Sequence, residues 1–146
     1  MPTLNVTHQT GDQFQLQVRG LRLLYDQPAA DGGTDQGPAP TELFMASLAA
    51  CVGFYARRFL ARHHLEAAGL RVKAAYTMSP DRPAWVATIT LRLLLPQPLE
   101  DNRRRALLAV VEHCTVHNSL RTPPQVRITL AEPTSTSPVP LAALGG

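Results

Sequence analysis

Along the chain, apolar and polar residues keep two different periods. In the first 25 residues they alternate. "TLNVTH", "QFQLQVRG" and "LRLLYD" each send every second side chain to one side, which predicts three short strands, with "QTGDQ" turning the first into the second. Between residues 43 and 56 the alternation is lost: "LFMASLAACVGFYA" is apolar on nearly every helical face, while the following "RRFLARHH" is amphipathic and basic. Together they predict a helix from near Thr41 to about His63, roughly 34 Å long at 1.5 Å per residue. Pro38 and Pro40 fix its start, Thr41 can serve as N-cap, and Glu42 sits where the helix dipole favours a negative charge.

Gly69 ends that segment. "LRVKAAYTMS" and "AWVATITLRLLL" then predict a hairpin joined through "PDRP". A second helix is expected from Leu99 or Glu100. Leu107, Val110, Val111 and Cys114 recur on it at spacings of three and four, which puts Cys114 on the apolar stripe at or near the C-terminal end. Beyond "TPP", "QVRITL" predicts a last strand, and the remainder has the composition of a mobile tail. The order is three strands, helix, two strands, helix, strand: an α+β domain over residues 1–132 with a tail at 133–146.

Two features of this pattern ask for more than one chain folded alone. The loop "DQPAADGGTDQGPAP" (26–40) is long for a connection in a small domain, which favours a functional or subunit-spanning role. A helix apolar all round must be buried all round, and 146 residues supply few elements to cover it. Composition agrees, since only 17% of residues are charged against 45% hydrophobic. The polar N-terminus carries no secretory pattern. The longest uncharged run, about 14 residues, falls short of the roughly 17–25 that span a bilayer. The expectation is therefore a cytoplasmic protein with no membrane partner. A net charge of +3, with arginines dispersed and no recognition module, argues against nucleic acid.

Candidate chemistry centres on two cysteines, Cys51 and Cys114. Their spacing is not that of a zinc ribbon, and a reducing compartment disfavours a permanent disulfide. The residues leave two readings open: two structural thiols, or a redox pair brought together by the fold. A peroxide-reducing thiol needs a thiolate, a cation or hydrogen-bond donor that favours it, and a second thiol to resolve the sulfenic acid. His113 and His117 would share a face if helical, half a metal site, but nothing in the sequence locates the other half and no metal is expected. "DGGTDQGP" lacks the lysine and hydroxyl of a phosphate loop.

At "GGTDQGPAPTELFMASLAACVGF" (32–54), followed by "CTVHNSL" with its cysteine 63 positions after Cys51, the sequence resembles the OsmC/Ohr family of osmotically inducible and organic-hydroperoxide-resistance proteins, in its OsmC-like branch. The likeness rests on a Gly-Pro-x-Pro-x-Glu-Leu stretch, a small-residue helix reaching Ala-Ala-Cys, and a later Cys-x-Val-x-x-x-Leu. It covers about residues 1–130. It implies antiparallel sheets around a long central helix in an intertwined homodimer, with active sites at the subunit interface. It further implies a peroxidatic Cys51 and a resolving Cys114, reduction of organic hydroperoxides and hydrogen peroxide, re-reduction by a dithiol such as a lipoyl group on a protein, and no metal, haem or flavin cofactor. In the hydroperoxide-resistance branch a glutamate ten residues before the peroxidatic cysteine holds an arginine against the thiolate. Here Thr41 occupies that place and Glu42 follows it, half a turn out of phase with Cys51. Glu42, Arg19, Arg22 and His117 are the candidate supporting residues. The rival reading is a non-catalytic domain of the same fold that binds a small apolar ligand or a partner protein.

Overall fold

The alternating N-terminal segments fold as expected. In a computed structural model, which describes residues 1–133, β1 (Asn5–His8), β2 (Phe14–Val18) and β3 (Leu21–Tyr25) form an antiparallel sheet in that order. The register sets Val6 opposite Leu16 and Leu16 opposite Leu23, and likewise aligns His8, Phe14 and Tyr25. Because side chains alternate across a strand, one face gathers these residues with Val18 and Leu21. Asn5, Thr7, Gln15, Gln17 and Arg22 fall on the other. Phe14 stacks on Tyr25 at 5.3 Å between ring centroids. No residue of these three strands is buried, and none of the strands packs extensively on the rest of the chain.

Residues 26–40 are closed by one carboxylate. Asp26, 1% exposed, accepts hydrogen bonds from the Gln27 N–H (2.7 Å), the Thr34 hydroxyl (2.6 Å), the Thr34 N–H (3.2 Å) and the Gln36 N–H (3.1 Å). The chain folds back so tightly that a Cβ on Gly33 would lie 2.0 Å from the Gln27 carbonyl oxygen, and one on Gly37 2.4 Å from that of Leu24. Glycine is required at both positions. The length of the loop reflects this knot, which aims the chain from the sheet into the first helix.

That helix, α1 (Pro40–Arg62), starts two residues earlier than the Thr41 cap would place it. Ala39 is the N-cap and Pro40 holds the first helical position, where a missing N–H costs nothing. Glu42 does the capping, its carboxylate accepting the Ala39 N–H at 2.8 Å. Met45, Leu48, Val52, Ala56, Phe59 and Leu60 form its buried face. The helix is long and apolar enough, by length and composition, to cross a bilayer, a point at which the expectation from its uncharged run falls short. Its apolar face instead packs on β4 (Arg71–Met78), α2 (Asp101–Val111) and α3 (Thr115–Arg121). β4 pairs antiparallel with β5 (Val86–Leu94) from Arg71–Leu94 to Met78–Val86.

Two expectations fail in the C-terminal third. The second helix does not carry Cys114. It ends at Val111, and Cys114 adopts the extended backbone of an N-cap (φ −65°, ψ 147°) that opens the separate helix α3. The Asn118 side-chain amide donates to the His113 carbonyl at 3.0 Å and satisfies the backbone at the break. His113 and His117 therefore do not share a helix. Likewise, "QVRITL" (125–130) is not a strand. Val126, Ile128 and Leu130 alternate as predicted but are 80%, 90% and 100% exposed. A strand exists only through a neighbour that takes up its N–H and C=O groups, and this segment has none among the described residues. Apart from Pro133, the expected tail lies outside them.

Candidate active site

The packing of α3 on α1 brings the two cysteines together. Cys114 is fully enclosed and Cys51 is half-buried. Both are free thiols, and they lie close enough for Cys51 to bear on the ionisation of Cys114. Their helical neighbours explain the approach. Leu48 and Val52, 4% exposed, seat this part of α1 in the core, and small residues at positions 49, 50 and 53 keep its flank low. One turn after Cys51, the Tyr55 hydroxyl reaches the Thr115 hydroxyl, beside Cys114, at 3.5 Å.

The two thiols are not equivalent. Burial pushes the Cys114 thiol above its ordinary value of 9.0, because a thiolate there would lose its hydration. The His117 N–H, 3.4 Å from the Cys114 sulfur, acts in the opposite direction. The adjoining Cys51 adds to the upward push. Cys114 thus holds its proton at neutral pH and waits as a thiol, whereas Cys51 is the one open to solvent.

The supporting residues expected from the sequence are dispersed. Glu42 is committed to the helix start and exposed. Arg19 sits in the β2–β3 turn with φ 54°, and Arg22 lies on the polar face of β3 opposite Gln17. Both ride on the sheet that stands apart from the helices. His117 is brought in, through its backbone N–H. Its side chain lines a groove of about 340 Å³ with Leu48, Ile89, Leu91, Leu120 and Arg121. Leu91 also lines an adjoining slot of about 470 Å³, which runs past Leu93 and Leu95 to Gln97 and Arg104. Sequence reasoning did not single out Tyr55, although its i+4 spacing from Cys51 was a readable signal. No local pattern marks Asp26 or Gln97. Among the described residues no group of three or more His, Cys, Asp or Glu side chains could hold a metal ion.

The family described as OsmC-like protein matches residues 33–129, which take in the second half of the loop knot, both cysteines and most of the C-terminal segment. No curated protein matches the chain. Solved structures do. A Psychrobacter arcticus protein, provisionally named for osmotic stress induction and detoxification response, superposes with a TM-score of 0.75 at 22% identity, covering 82% of this chain and 88% of that one. The organic hydroperoxide resistance protein OsmC of Legionella pneumophila gives 0.62 at 21% identity, with 82% and 89% covered. The organic hydroperoxide resistance protein OhrB of Bacillus subtilis gives 0.58 at 22%, with 82% and 90% covered. At such identities the likeness is one of fold.

Proposed function

The chain belongs to the OsmC-like protein family, and on that premise we propose that it is a thiol peroxidase that reduces organic hydroperoxides and hydrogen peroxide through Cys51 and Cys114. The observation that carries this reading is the neighbouring pair of free thiols, one half-exposed and one enclosed. The Cys51 thiolate attacks the outer oxygen of the hydroperoxide. The O–O bond breaks, the alkoxide takes up a proton and leaves as alcohol, and Cys51 becomes a sulfenic acid. The Cys114 sulfur then attacks the Cys51 sulfur, the S–O bond breaks, and water leaves as the disulfide forms. A dithiol, such as a lipoyl group on a protein, returns both thiols by two successive exchanges and is itself oxidised to a disulfide.

Burial of Cys114 suits the resolving role. Its place beside Cys51 removes any need for a large movement before the disulfide closes. A cation for Cys51 comes from a homodimer in this reading. The apolar face of the β1–β3 sheet, the unpaired 125–130 segment and the low charge of the whole chain all support a second copy. Since Arg19 and Arg22 travel with that sheet, the same association offers a route for one of them to the thiol. Two free thiols suit a reducing, cytoplasmic setting.

The test is peroxide consumption with a lipophilic hydroperoxide and a dithiol. Cys51→Ser is expected to abolish it, and Cys114→Ser to leave a sulfenic acid that dimedone traps. Equal activity in wild type and Cys51→Ser would refute the reading. The slot along β5 favours the second reading, a non-catalytic binding domain, for which peroxide should leave both thiols free.

A further inference from the structure

The C-terminal third of α1 carries positive charge that the helix does nothing to balance. Arg57, Arg58 and Arg62 are all exposed there, and the only acidic residue of α1 is Glu42, near the opposite end. From Glu42 to Arg58 the helix rises about 24 Å at 1.5 Å per residue, well beyond ion-pair range. Arg58 and Arg62 are four residues apart and so lie one turn apart on the same face, where like charges repel.

That face is concave. Arg58 and Arg62 line a crevice of about 70 Å³ between α1 and α2, together with Tyr55, Phe59 and Val110. None of these residues is acidic, and none is shared with the grooves along β5. Phe59, 5% exposed, and the half-buried Val110 give the crevice an apolar back. Phe54, one turn before Arg58, steadies the guanidinium, which sits 5.5 Å from the centroid of the phenyl ring. Such a contact contributes roughly 0.5–1 kcal/mol at an exposed site, so Arg58 is partly oriented before any ligand arrives.

Charge and size restrict what the crevice can take. Two guanidiniums one turn apart offer forked N–H donors, which match the paired oxygens of a phosphoryl group or a carboxylate. Two cations are balanced by a dianion, which one phosphate is and a single carboxylate is not. The volume is little more than twice the ~30 Å³ share of a water molecule in the liquid. It admits one tetrahedral oxyanion and is too small for a nucleotide base or an acyl chain. We propose that the crevice at Arg58 and Arg62 binds a phosphate dianion, either free or as the end group of a small phosphomonoester whose organic part stays outside. This site does not depend on the peroxidase reading.

The experiment follows binding of inorganic phosphate and of glycerol phosphate to the full chain by phosphorus NMR, with acetate as competitor. Wild type is expected to bind phosphate with a Kd of about 1 mM. Arg58→Gln and Arg62→Gln should each weaken binding about tenfold. Arg57→Gln removes the same charge from the adjacent position, outside the crevice, and should leave the affinity unchanged. Arg58→Lys keeps the charge and loses the fork, so its affinity should fall between wild type and Arg58→Gln. All three arginines are exposed, and thermal melts in phosphate-free buffer check that each variant folds.

No binding by wild type, or equal affinity in wild type, Arg58→Gln and Arg62→Gln, would overturn the proposal. So would an equal loss in Arg57→Gln, the mark of diffuse attraction to a basic helix. Displacement of phosphate by an equal concentration of acetate would overturn the assignment to a dianion. Tighter binding of glycerol phosphate than of inorganic phosphate would support the site and assign it to a phosphomonoester. The reverse order would support it as a site for the free ion.

Discussion

The chain treats its two apolar surfaces in opposite ways. The inward face of α1 is enclosed by the chain's own elements, and Ala56 and Leu60 have no exposed surface at all. The apolar face of the β1–β3 sheet is as continuous in sequence, yet Leu21 is 59% exposed and Leu23 42%. The helical half has a core and holds the thiols. The sheet half has the face of a core layer, and among the described residues no helix or other sheet packs extensively on it. Apolar burial stabilises at roughly 25 cal/mol per Å², so a face of this kind is a debt that one chain leaves open. Under the proposed function, the difference explains how the thiol pair and its candidate cations come to lie in separate halves. The cysteines belong to the half that a single chain finishes, and the candidate arginines to the half that it does not.

If a second copy covers the sheet, charge placed there should do the greatest damage. Leu23→Asp is expected to abolish the dimer, read as a shift to monomer mass by light scattering at micromolar concentration, while the Cys51–Cys114 contact survives. A wild type that is already monomeric would remove the basis of the comparison. Within the helical half, Leu60→Ala should cost about 2–5 kcal/mol in denaturant unfolding, because it opens a cavity in a site with no room to collapse. That loss should not vary with protein concentration, whereas the milder sheet substitution Leu23→Ala should give one that does.

The junction between the halves should respond to acid. The Thr34 hydroxyl, together with the backbone N–H groups of Gln36, Gln27 and Thr34, holds the Asp26 carboxyl below its ordinary value of 3.8 against the opposing effect of burial. A lowered carboxylate contributes stability that is present above the ordinary value and lost as pH falls through the folded one. Thermal melts should therefore show wild type losing stability below about pH 3.8 more steeply than Asp26→Asn. At the alkaline end the sign reverses. The raised Cys114 thiol favours the fold below its ordinary value of 9.0, and that contribution fades as pH rises beyond it, an effect Cys114→Ser should remove. The smallest effect belongs to Glu42→Ala, which should cost about 0.5–1 kcal/mol as a lost cap and dipole contact, with no change in the reactivity of Cys51.

Legibility in the sequence followed the range of the interactions. The three N-terminal strands, the β4–β5 hairpin and most of α1 could be read because period and propensity act between near neighbours. The break before α3 could not. Cys114 continues the three-and-four spacing of Leu107, Val110 and Val111, and only its contacts show that the residue caps a new helix. Nothing in the sequence marks Asp26, since its four donors come from positions 27 to 36 and meet only after the chain folds back. Alternation predicts a strand at 125–130, and the structure lacks it because pairing belongs to two segments and the described residues supply one.

By itself the sequence determined that a long apolar helix carries Cys51, that an alternating sheet precedes it, and that the two cysteine motifs resemble one family. Periodicity and residue type are local properties and survive without coordinates. Tertiary structure alone decided that Cys51 and Cys114 lie side by side, that burial makes Cys114 the thiol that keeps its proton, that Glu42 is occupied at the helix start, and that Gln97 Nε2 is enclosed with no partner among the described residues. Each of these depends on which distant groups share a volume and on how much water is left between them.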